Sequence, residues 1–144
     1  MAVPRKLTVA DETVFPIAPY LVGQVEPVLN FDNAARRPDG SRPQLLDKDT
    51  GLPVWQVAVL DPDPEAGNRE KTVIVKLIAQ NQPVPPENKS GFPFTPVRFT
   101  DLTVTPWIDD NGPKPKLAYS LRATGFADPT PTASTSTRDQ GKAA

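Results

Sequence analysis

Thr72-Val73-Ile74-Val75-Lys76-Leu77-Ile78-Ala79 is the most β-prone stretch of this chain, and its reading decides the fold. Val73, Val75, Leu77 and Ala79 fall on one side at the two-residue period of a strand, with Lys76 on the other. Upstream, Val54-Trp55-Gln56-Val57-Ala58-Val59-Leu60 alternates in the same way, with Trp55, Val57 and Val59 on one face. Farther upstream, Tyr20 to Leu29 reads as a strand with Leu21, Gly23, Val25, Pro27 and Leu29 together, and Pro27 marks a strand end or an edge. Downstream, a strand is expected from Val97 to Thr105, stopped by Pro106. The last runs from Lys116 to Gly125, with Leu117, Tyr119 and Leu121 on one face and Ser120, Arg122 and Thr124 on the other.

The connections carry turn chemistry. Asp47-Lys48-Asp49-Thr50-Gly51 offers Asx side chains and a glycine for a positive-φ position, and Asp109-Asp110-Asn111-Gly112 is a second turn signal. Residues 30–44 read as a polar loop with Arg36, Arg37 and Arg42, residues 61–68 as an acidic stiff loop, and 80–96 as a proline-rich connection. Proline makes up 19 of 144 residues, against about 5% in average proteins, and no segment offers a clean helical pattern. That excludes a helix-turn-helix reader of DNA. Five strands in this length predict an all-β fold: a small five-stranded antiparallel barrel of the oligonucleotide-binding (OB) type, with a β-sandwich as the alternative. Residues 1–13 are expected to form a flexible arm, 14–127 a single β domain, and 128–144 a disordered Ser/Thr/Pro tail.

Catalytic sets are sparse. The chain has no cysteine and no histidine, which removes thiolate chemistry and the commonest general base and metal ligand. The eight glycines are scattered singly, so no phosphate loop forms. Asp61, Asp63 and Glu65 sit among prolines in a loop where exposed carboxylates keep ordinary acidity. Asp47–Gly51 approaches a calcium loop, but its glycine comes one position early and no bidentate glutamate follows. We therefore expect a binding protein rather than an enzyme, without cofactor or metal. Formal net charge is −1, so bulk attraction does not hold it on nucleic acid or an anionic membrane. No apolar run nears the ~20 residues of a membrane span, and the opening residues lack a signal peptide's apolar stretch, so a cytoplasmic protein is expected. Oligomeric state is left open by the sequence.

Binding residues are sought among cations and aromatics. Lys76, Arg98 and Arg122 project from three strands, and neighbouring strands would make of them a basic stripe able to take phosphates of single-stranded DNA; the alternative is a solvated sheet face. Trp55 and Tyr119 belong to apolar alternating sets and are expected inside. Trp107 and Phe94 lie beside prolines in loops, where they either stack on bases or plug one end of the barrel. The Arg36–Arg42 loop is a second basic candidate. The proline-rich 80–96 connection could instead dock on a protein partner through extended backbone.

Several stretches carry a resemblance: Val14-Phe15-Pro16, Tyr20-Leu21-Val22-Gly23-Gln24-Val25-Glu26-Pro27-Val28, Asp47 to Trp55, Val59 to Glu65, Gln82-Pro83-Val84-Pro85-Pro86, Phe94 to Pro106, and Ala118 to Gly125. In their order the chain resembles the plasmid replication, integration and excision activators of actinomycete integrative and conjugative elements. The resemblance spans most of residues 14–126 and brings no catalytic signature. It implies a regulatory role on a mobile element, promoting its replication and recombination genes, with either DNA or a replication or transcription protein as the partner. A structural protein of a phage particle also fits the β composition, with no specific residue behind it.

Overall fold

In the computed structural model, residues 2–68, 71–89 and 91–127 are described. The expected tail at 128–144 lies outside them. Alternation of apolar and polar residues produces the elements β1 (Leu7–Thr8), a one-turn helix α1 (Asp11–Val14), β2 (Tyr20–Pro27), β3 (Val54–Leu60), β4 (Thr72–Ile78), β5 (Arg98–Thr100), β6 (Thr103–Asp109), β7 (Lys116–Ala123) and β8 (Gly125–Ala127). Six of the strands form one sheet in the order β1-β6-β7-β4-β3-β2, and β5 pairs with β8 in a second, two-stranded sheet.

The fold is all-β, but in place of the expected five-stranded antiparallel barrel there is a six-stranded sheet that does not close. β1 and β2 are opposite edges of an open sheet, and the sheet is mixed, because β4 and β7 run parallel. The second sheet lies over one face of the first. Phe99 of β5 and Phe126 of β8 pack with Phe15, Val57, Val59, Val75, Leu77, Leu121 and Ala123. Phe99 stacks at a tilt on Phe15 (5.9 Å between ring centroids) and on Phe126 (5.7 Å).

Three local departures have clear causes. The expected strand Val97–Thr105 breaks in two at Asp101, whose φ of 51° turns the chain from the small sheet into the large one. The Asp101 carboxylate accepts from the Thr124 hydroxyl (2.9 Å), pinning that corner. Pro106 does not stop a strand but lies inside β6, since β6 is an edge beyond the reach of β1. The expected arm joins the fold from Leu7 onward, as Leu7 and Thr8 pair with Val104 and Thr103 and Asp11 is buried.

β2, the other edge, is protected. Its register slips between Val22 and Glu26 in a bulge where Gly23 takes φ +90°. Gln82 Nε2 donates to the Val25 carbonyl (3.0 Å), and Leu21 N–H donates to Thr95 O (2.8 Å). The proline-rich connection is thus fastened along β2 at both ends.

Candidate binding surface

Strand pairing sets one polar residue from each of the six strands in a single row across the sheet: Glu26, Gln56, Lys76, Arg122, Thr103 and Thr8. The row lies on the face away from the core, since Val57, Val75 and Leu121 beside it point inward. Lys76 and Arg122 are therefore direct neighbours. Lys76 Nζ donates to Gln56 Oε1 (3.0 Å), and Arg122 donates to Asp47 Oδ1 (2.8 Å). Burial, then the neighbouring guanidinium, holds the Lys76 ammonium below the usual lysine range.

Asp47 reaches this face because the 47–51 turn folds as its composition dictates. Its Oδ2 accepts from the Thr50 hydroxyl (2.9 Å) and N–H (3.1 Å), and Gly51 takes φ +75°. Burial works to raise the Asp47 carboxyl, but the Thr50 contacts with Arg122 and Lys6 outweigh it and keep the acid below its ordinary value. The two carboxylate oxygens are engaged by the turn and by Arg122, which accounts for this motif without a metal.

Arg98 does not join the stripe. It stands in the small sheet, turned inward, donating to Asp11 Oδ2 (2.7 Å) and to the Phe15 carbonyl. Asp11 Oδ1 also accepts from Phe99 N–H (3.1 Å). This buried pair fastens α1 to β5 and is structural. Asp61, read as exposed, is buried too, accepting from Asp63 N–H (3.0 Å).

Tyr119 was expected inside and is 59% exposed. The β6–β7 hairpin runs past the edge of the covering layer, so the alternation that buries Leu121 and Ala123 continues into solvent. Pro106 pairs with Tyr119 and Ile108 with Leu117, and Ile108 is 62% exposed. Trp107 pairs with Ala118 on the opposite face, the one carrying Lys76 and Arg122, and is 40% exposed. Phe94 is an exposed loop residue, and Phe92 meets Tyr20 edge-on at 6.4 Å. In the other basic loop Arg42 lies over the exposed Phe31 ring at 5.3 Å. Trp55, as expected, packs on the core, and its indole N–H donates to Ala79 O (3.0 Å).

The exposure of Ile108 and Leu117 and the anchoring roles of Asp11 and Asp47 escaped the sequence reading. The hairpin carried a usable signal. Pro106-Trp107-Ile108 and Leu117-Ala118-Tyr119 flank the Asp110–Pro115 turn symmetrically, as two strands extending beyond their cover would.

Electrostatically the open face balances. Lys76, Arg122 and Lys116 stand against Glu26, Asp47 and Asp109, the last directly opposite Lys116. A shallow groove of about 240 Å³ lies at the β2 bulge, lined by Val22, Gly23, Gln24, Glu26, Gln56 and Ile74. No helix among the described residues is long and apolar enough to cross a membrane. No protein-family model, curated protein or solved structure matches the chain.

Proposed function

We propose that this chain is a non-enzymatic accessory factor of a mobile genetic element, and that it docks on a replication or transcription protein through its β6–β7 hairpin. The mobile-element part rests on the family resemblance of residues 14–126. The docking part rests on one observation: the hairpin presents Pro106, Ile108, Leu117 and Tyr119 on one face and Trp107 on the other, all exposed. Clustered exposed apolar side chains, with aromatics among them, are the usual composition of a protein-binding patch. The balanced charge of the open face favours a protein over a nucleic acid, whose backbone is held mainly by an excess of cations.

The hairpin binds by its side chains rather than by adding a strand. Val9 N–H donates to Leu102 O, so by alternation the backbone groups of Val104 face β1, and those of Pro106 and Ile108 face the open edge beyond it. Pro106 supplies no donor there, which leaves the Ile108 N–H as the one backbone donor between Pro106 and Ile108 for an incoming strand.

The test is binding of the full chain to the replication initiator and the transcription regulators of its own element, in the presence of nuclease. An Ile108→Lys, Tyr119→Ser double variant should lose that binding while keeping its thermal midpoint. Equal binding by the variant, or loss of wild-type binding on nuclease treatment, overturns the proposal.

A further inference from the structure

We infer that Lys76 and Arg122 together hold a single phosphate-type oxyanion on the open face, a site separate from the hairpin. Direct partners on neighbouring strands sit about 5 Å apart, and like charges placed so repel. Here two cations occupy that position at the centre of the sheet. Arg122 is met by Asp47, but among the described residues Lys76 has no carboxylate partner, and its one acceptor is the neutral Gln56 side chain. Two of the three ammonium donors and most of the guanidinium fork stay uncommitted.

The groups around the pair narrow the ligand. Along the row, Glu26 lies two strands from Lys76 on one side and repels anions there. On the other side Thr103 and Thr8 continue the row with hydroxyl groups and no charge. Asp47 approaches from the turn and lowers the net charge of the site to one positive unit. The site therefore suits a compact oxyanion with several acceptor oxygens, seated over Lys76, Arg122 and Thr103, and not an extended polyanion. The same group could come from free phosphate or from one phosphodiester of a nucleic acid. An anion between the two cations relieves their repulsion and returns the Lys76 ammonium toward its ordinary range.

The experiment is a titration of the full chain with inorganic phosphate at low ionic strength, followed by NMR of backbone amides and lysine side chains. Saturable shifts at residues 76, 103 and 122, with an upward move of the Lys76 ammonium titration, are expected. Lys76→Met should weaken binding about tenfold or more, the usual worth of a charge-assisted hydrogen bond, and Lys89→Gln should leave it unchanged. Shifts that never saturate, or that spread evenly over all lysines, overturn the inference, as does unaltered binding by Lys76→Met. The Lys76 titration in the wild-type chain decides the matter if that variant does not fold. A thymidine oligonucleotide without terminal phosphate separates the sources. Shifts at the same three residues identify a phosphodiester ligand, and their absence with phosphate binding intact identifies a free or monoester phosphate. Oligonucleotide binding without any phosphate response overturns the single-anion site.

Discussion

Asp11 shows how much one side chain carries in this fold. Its side chain is 7% exposed and that of its partner Arg98 18%, so both charges are largely withdrawn from water and depend on each other. The same carboxylate also satisfies the Phe99 N–H. Asp11→Ala leaves a buried cation and a buried amide without an acceptor, and should cost about 3–5 kcal/mol of stability. A urea midpoint giving less than about 1 kcal/mol would remove the anchoring role. The pair was not legible in the sequence, because 87 residues separate its members and neither stands in a motif. Arg98 alternates outward within its strand on paper; only the turn at Asp101 shows that the strand belongs to the covering layer.

Among the elements, β6 separates what patterning reads from what it misses. The strands β2, β3 and β4 fall where apolar alternation puts them, and Trp55, Val57 and Val59 do share a face. Alternation reports which side chains lie together but not whether anything covers them. Tyr119 and Leu121 are thus on one face of β7, one exposed and one buried. Pro106 has a function on this edge. Its ring removes the donor that a neighbouring chain would use, a common guard against edge-to-edge association. Pro106→Thr restores that donor within a row of exposed apolar groups. The variant should self-associate at concentrations where the wild type does not, as read by sedimentation velocity. Identical sedimentation of both proteins would discount the guard.

For the whole molecule, composition and strand count led to all-β, while topology stayed out of reach. A barrel and an open two-layer sheet need the same alternating strands. The difference lies in the parallel pairing of β4 with β7 across the long intervening connection, which no local signal encodes. The overall charge distribution also follows from topology, which brings two of the three expected cations onto one face with carboxylates beside them. An oligonucleotide held at Lys76 and Arg122 alone, through the one phosphate they share, should show a log–log salt slope of about −0.7, the value for a single phosphate contact. A slope steeper than about −2.5 would mean that cations outside this face take part.

The central position of β7 has a consequence for synthesis. It is the last long strand to be made, yet it joins β6 to the β4-β3-β2 half. Until the ribosome has released residues 116–123, the nascent chain holds two partial sheets with unsatisfied borders at β6 and β4, the latter the most β-prone stretch of the protein. Production of this protein should therefore be more sensitive to stalling just before β7 emerges, and to chaperone supply, than its strand count alone suggests.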